Sequence, residues 1–140
     1  MSTVFAHNLT TDSWIGGFPA IKKPRSSAGA CLVADHVYIV AGRARNEDDS
    51  MLNCIEKIHV ESLIPDGAAE WTLIQIPQKV FGPRTNCGVA RLNDTEFVIL
   101  GGDGPGSGEN IRCGIFVFDT RTETIKLVGD NKFQGYSRSN

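Results

Sequence analysis

The sequence predicts an all-β protein built from repeated four-stranded antiparallel sheets, and three observations predict it. Two short apolar runs, VYIVAG at 37–42 and FVILGG at 97–102, each end at a glycine exit, and Gly42 and Gly102 stand 60 residues apart. The basic turn Pro24-Arg25 ahead of the first run returns as Pro83-Arg84 ahead of the second. Fifteen glycines in 140 residues, with lysine and glutamate sparse, suit many short strands joined by turns better than long surface helices. Successive β-formers with no polar face read as strands buried on both sides, and a self-similar period of this length reads as a repeat architecture.

Taken in order, residues 1–13 are polar and aperiodic apart from Val4 and Phe5 and predict no strong element. Trp14 and Ile15 read as the remnant of a strand, closed by Gly16, Gly17 and Pro19 and followed by the basic turn Lys22, Lys23, Pro24 and Arg25. A hairpin follows, with residues 28–32 small and apolar, Asp35 and His36 at the turn, and 37–41 as the buried return strand. The charged text RARNEDDS at 43–50 contains no strand former and reads as a loop. Residues 53–60 alternate imperfectly, which predicts a strand nearer the sheet edge. Pro65, Asp66 and Gly67 mark a turn, and WTLIQI at 71–76 alternates cleanly until Pro77 ends it.

The second cycle repeats these parts. Residues 87–92 match 28–33 with one more residue in the following turn around Asn93 and Asp94, and 97–101 match 37–41. The segment GPGSGENIR at 104–112 replaces the charged loop, 114–118 form the third strand, DTRT at 119–122 is a compact turn, and 124–128 form the fourth strand. The tail, with Arg138 54 residues after Arg84, reads as the opening of another copy. The expected organisation is therefore one repeat at about 25–76, a second at about 84–128, and remnants of neighbouring units at 14–17 and 135–140.

Four short strands per unit, a glycine exit after strand two and an aromatic opening strand four resemble a blade of the kelch β-propeller. Arg25, the VYIVAG run and Trp71 carry the resemblance in the first unit; Arg84, the FVILGG run, Phe118, Asp119 and the DTRT turn carry it in the second. The departures are Ala41 at the first glycine position, Ile58 in place of an aromatic, and Ile125 in place of tryptophan. The resemblance implies a kelch-like propeller with two full blades and an incomplete ring, because two blades cannot close. Such a piece belongs to a longer product, combines with other chains, or stands as an open wedge whose apolar flanks invite self-association through exposed blade edges.

Catalytic and metal chemistry find little support in the residues. Asp35 and His36 are adjacent in a turn with no nucleophile beside them. His7 and His59 lack partners at metal-ligand spacing, and the cysteines at 31, 54, 87 and 113 are too dispersed for a zinc site and read as free thiols. The glycines at 101, 102, 104, 106 and 108 precede a strand rather than the helix a phosphate loop needs. No metal and no cofactor is expected. A formal charge of −2 gives no field for nucleic acid, no stretch is long enough to span a bilayer, and no leader-like start is present, so the reading is a cytoplasmic protein with a protein partner.

The expected function is a noncatalytic interaction module of the scaffold or substrate-adaptor type that binds through its inter-strand loops, since loops on a rigid frame carry recognition. The loops that differ most between copies are 43–50 against 102–112 and 61–70 against 119–122, and the first pair is the better site. The binding candidates are Arg43, Arg45, Glu47, Asp48, Asp103, Glu109 and Arg112, together with the repeated Arg25 and Arg84. Those two arginines serve either as structural donors to a neighbouring blade or, as the resemblance implies, as a basic ring that catches an acidic peptide segment. The alternatives are a fragment of a kelch-like propeller enzyme, an oxidase or sugar isomerase, or a truncated piece without independent function.

Overall fold

The computed structural model describes residues 3–45, 50–105 and 114–130. Two four-stranded antiparallel sheets dominate it. The first blade comprises β4 (Gly29–Val33), β5 (His36–Val40), β7 (Cys54–His59) and β8 (Thr72–Gln75), paired in that order. The second comprises β9 (Gly88–Arg91), β10 (Glu96–Leu100), β11 (Gly114–Asp119) and β12 (Thr124–Asp130), paired in the same sense. Ahead of them stand the hairpin β1 (Val4–Asn8) and β2 (Ser13–Phe18) and a short ladder joining β3 (Arg25–Ser26) to β6 (Arg43–Ala44). The fold is all-β, two blades of a kelch-like propeller without a closed ring among the described residues.

Pairing registers make the repeat explicit. Cys31 faces Tyr38 in blade one as Ala90 faces Val98 in blade two, and Ile39 faces Glu56 as Ile99 faces Phe116. Both strand-two exits turn through two left-handed residues, Ala41 and Gly42 (φ 55° and 100°) and Gly101 and Gly102 (φ 60° and 97°). A side chain at Gly42 would lie 2.8 Å from the Ser26 carbonyl and at Gly102 2.9 Å from the Thr85 carbonyl, so the second glycine serves close approach as well as dihedral. The DTRT turn is held by Asp119, whose Oδ1 accepts from the Arg121 amide at 2.9 Å. The Arg121 side chain and amide together hold that carboxyl down at about 2.

The core lies between the blades. Tyr38, Val40, Ile55 and Ile74 of blade one pack against Phe97, Ile99, Phe116 and Phe118 of blade two, all buried. Tyr38 sits 5.1 Å from Phe97, which stacks on Phe118 at 4.9 Å. Each such fully buried large side chain contributes about 1.5–3 kcal/mol relative to exposure, so neither sheet's inner face is stable alone. The Lys57–Glu123 ion pair ties the rim of one blade to the other.

Four expectations are corrected. Residues 1–13 contain β1, which is stabilised by pairing with β2 rather than by its own apolar content. The first hairpin turns at Ala34 and Asp35 (φ 48° and 61°), one residue early, because His36 already pairs with Val33 and His59. The charged segment opens with β6, where Arg43 and Ala44 pair with Ser26 and Arg25. Strand β7 is internal and buried on both faces at Cys54, Ile55 and Glu56, because the carboxylate that breaks its alternation has a buried partner. The tail at 135–140 lies outside the described residues.

Candidate interaction site

The repeated arginines come first, because everything beside the strand-two exits is built on them. Arg25 Nε donates to the Lys23 carbonyl at 3.1 Å and Nη1 to the Ala41 carbonyl at 2.8 Å. Arg84 does the same with Gly82 at 3.2 Å and Gly101 at 2.9 Å. Each arginine side chain thus fastens the link entering its own blade to the exit of that blade's second strand, and the Arg84 backbone also reaches blade one, accepting from the Gly42 amide at 2.9 Å and donating to the Leu52 carbonyl at 3.1 Å. Both are buried, Arg25 with a side chain 1% exposed.

What surrounds each guanidinium differs. Arg25 pairs with Glu56, whose side chain is 0% exposed and also accepts from the Lys22 and Lys23 amides at 2.6 and 3.0 Å. Three charge-assisted or polar donors around one carboxylate offset its desolvation. In blade two the register position of Glu56 holds Phe116, and Arg84 lies over the Phe116 and Phe81 rings at 4.6 and 4.3 Å. The same cation lies against a carboxylate in one blade and over aromatic faces in the other.

Outside each arginine a cleft opens at the same place in the repeat, between the link into the blade and the strand-two exit. In blade one it measures about 330 Å³ and is lined by Lys22, Lys23, Pro24, Ala44, Arg45, Ser50 and Leu52. In blade two it measures about 280 Å³, with Lys79, Pro83, Arg84, Gly104, Pro105 and Phe116 in its wall. The first has an apolar floor and a basic rim. Lys22 is matched by Glu70 at 3.3 Å, whereas the side chains of Lys23 and Arg45 have no ion-pair partner among the described residues.

The candidates named from sequence distribute around these clefts. Arg45 lines the first and is exposed; Arg43 is half-buried on β6 and has partners of its own. Asp103 is exposed, pairs its backbone with Thr85 and accepts from Asn86 Nδ2 at 2.9 Å, which makes it a brace. Glu47, Asp48, Glu109 and Arg112 lie outside the described residues. Lys23 and Lys79 were not among the candidates; the signal for them was their place in the link just ahead of each repeated arginine.

Nucleophilic and metal chemistry gain nothing from the geometry. Burial pushes the Cys31 thiol up to about 11 and raises Cys87, so both stay protonated, and Cys31, Cys54 and Cys87 are free. The sheet brings His36 and His59 together, ring centroids 5.0 Å apart, a pair that sequence spacing does not show. His36 Nδ1 donates to the Ala34 carbonyl at 2.9 Å, while His59 Nδ1 accepts from the Glu61 amide at 3.2 Å. That acceptor role leaves the neutral His59 ring proton on Nε2, where a metal would need a lone pair. Among the described residues no group of three or more His, Cys, Asp or Glu is placed to hold a metal ion.

Fold and site together define the class as kelch-like propeller blades with a cleft repeated outside each buried arginine. No protein-family model matches the chain. It is similar to the "Kelch repeat and BTB domain-containing protein 1" of camelpox virus (strain CMS), 32% identical over 137 residues, which is 98% of this chain and 20% of that protein. The proteins of the same name from vaccinia virus (strain Copenhagen) and cowpox virus (strain Brighton Red) are 33% and 32% identical over the same shares. The chain therefore spans about a fifth of the length of the curated relatives it matches.

Proposed function

We propose that this chain is a noncatalytic protein-interaction module of the scaffold or substrate-adaptor type, and that the blade-one cleft takes an acidic segment of a protein partner. The observation that carries the reading is the basic rim left over there. Glu70 offsets Lys22 and Glu56 offsets Arg25, but Lys23 and Arg45 remain over an apolar floor of Pro24, Ala44 and Leu52. A carboxylate entering between them gains two cationic partners while the backbone of the segment covers apolar surface. The net charge of −2 makes this a local attraction rather than a global one. The similarity to kelch repeat and BTB domain-containing proteins supports the adaptor reading. The three free thiols suit a reducing compartment, and the cytoplasm is the location proposed with it.

Fluorescence anisotropy with labelled Glu/Asp-rich, Lys/Arg-rich and uncharged peptides of equal length tests the reading. The acidic peptide is expected to bind most tightly, with affinity falling as salt rises. The double reversal Lys23→Glu/Arg45→Glu should weaken it by about tenfold or more, the loss of roughly 1.4 kcal/mol. Equal affinity for the three peptides, or an unchanged affinity in the folded double variant, would sink it.

A further inference from the structure

The contact between the blades joins unlike faces, and both kinds of face recur at the outside of the molecule. Blade one offers Tyr38, Val40 and Ile55, and blade two receives them on the aromatic face of Phe97, Phe116 and Phe118. The registers place Val98, Leu100 and Ile115 of blade two where blade one has Tyr38, Val40 and Ile55. These three line the flank of blade two that faces away from blade one, where Leu100 is 44% exposed and Val128 on β12 51%.

A glycine marks the same design. Gly29 pairs with Val40, and a side chain on it would stand 2.3 Å from Val89 Cγ2, so its bareness admits the inner strand of blade two. Gly88 pairs with Leu100 at the corresponding position, yet among the described residues a side chain there would come no closer than 3.7 Å to a neighbour, and what it meets is Leu100 of its own sheet. The offering face is therefore present a second time, with its approach unused among the described residues.

The other end of the chain carries an aromatic face. On the β1–β2 hairpin Phe5 is 59% exposed and Trp14 72%, with His7 against Trp14 at 4.8 Å and Gly16 beneath the Phe5 ring. We propose that the aromatic face of this hairpin docks on the outward flank of blade two in a second copy of the same chain, a head-to-tail contact that repeats the chemistry of the contact between blades one and two. Such a contact is heterologous, so one copy's hairpin meets another's flank and each copy keeps one face free for the next. It uses a surface separate from the basic cleft.

Sedimentation equilibrium of the whole 140-residue chain, from low to high micromolar, is the test. The wild type should associate with rising concentration. Trp14→Glu, which spoils the hairpin, and Leu100→Lys, which spoils the flank, should each weaken self-association by at least tenfold. Mixed in equal amounts they should form a one-to-one pair and nothing larger, because each supplies the face that the other lacks. Retained far-UV circular dichroism and buried-tryptophan emission from Trp71 certify folding, and Val128→Lys replaces Leu100→Lys if the latter fails that check. A wild type that stays monomeric throughout overturns the proposal, as does association that survives Trp14→Glu or a mixture that remains monomeric.

Discussion

Position 56 in blade one and position 116 in blade two show how one fold solves the same local problem with opposite chemistry. Each residue faces the isoleucine of its second strand, Ile39 or Ile99, and each lies against the arginine that locks its blade. Glu56 was legible in the sequence only as a break in alternation, because its partner Arg25 lies 31 residues earlier and the pairing appears only when the link folds over the sheet. Its burial makes it costly to orphan. Arg25→Met is expected to destabilise by about 3–5 kcal/mol, since a fully desolvated carboxylate is left without its cation. Arg25→Met/Glu56→Leu should be no less stable than Arg25→Met alone, because the second change removes the stranded charge and moves the site toward the apolar packing of Phe116. Urea unfolding followed by circular dichroism measures both, and a double variant less stable than Arg25→Met alone would refute this account.

At the scale of the element, the strand-two exits were the most legible part of the fold. A run of apolar β-formers ending in two small residues is local information, and it survives whatever the rest of the chain does. The hairpin β1–β2 was legible only in its second strand, because Val4–Asn8 mixes apolar and polar residues and is fixed by pairing. The clefts were not legible either, since each joins a link to an exit loop about twenty residues further along, and a sequence read by periodicity has no term for such a junction. Within the exit the two glycines should respond differently. Gly101→Ala meets nothing within 4 Å among the described residues and costs its left-handed φ of 60°, about 1 kcal/mol; Ala41 already occupies the matching place. Gly102→Ala adds a contact of 2.9 Å to the Thr85 carbonyl, so it should cost about 1–3 kcal/mol more. Equal midpoints for the two variants in chemical denaturation would show that close approach is not what the second glycine provides.

For the whole molecule, the shared core decides how the blades unfold. Tyr38 belongs to blade one by sequence but rests on Phe97 and Phe118 of blade two, so the loss of either sheet exposes the inner face of the other. Unfolding of the two blades should accordingly be a single transition. Gly29 and Gly88 test where that cooperativity resides. At Gly29 an added methyl collides with Val89 across the blade contact, and backbone on both sides must move to admit it. Gly29→Ala is expected to lower stability by about 1–3 kcal/mol and to shift the whole transition without splitting it. At Gly88 the same methyl meets, among the described residues, only Leu100 of its own sheet at 3.7 Å, an ordinary contact, so Gly88→Ala should leave monomer stability within about 0.5 kcal/mol of wild type. Thermal unfolding monitored by far-UV circular dichroism and by tryptophan fluorescence in parallel separates the cases. Two resolved transitions in wild type would mean that the blades are independent sheets merely in contact, and a Gly88→Ala loss as large as that of Gly29→Ala would mean that the glycines serve the strands rather than the approach between blades.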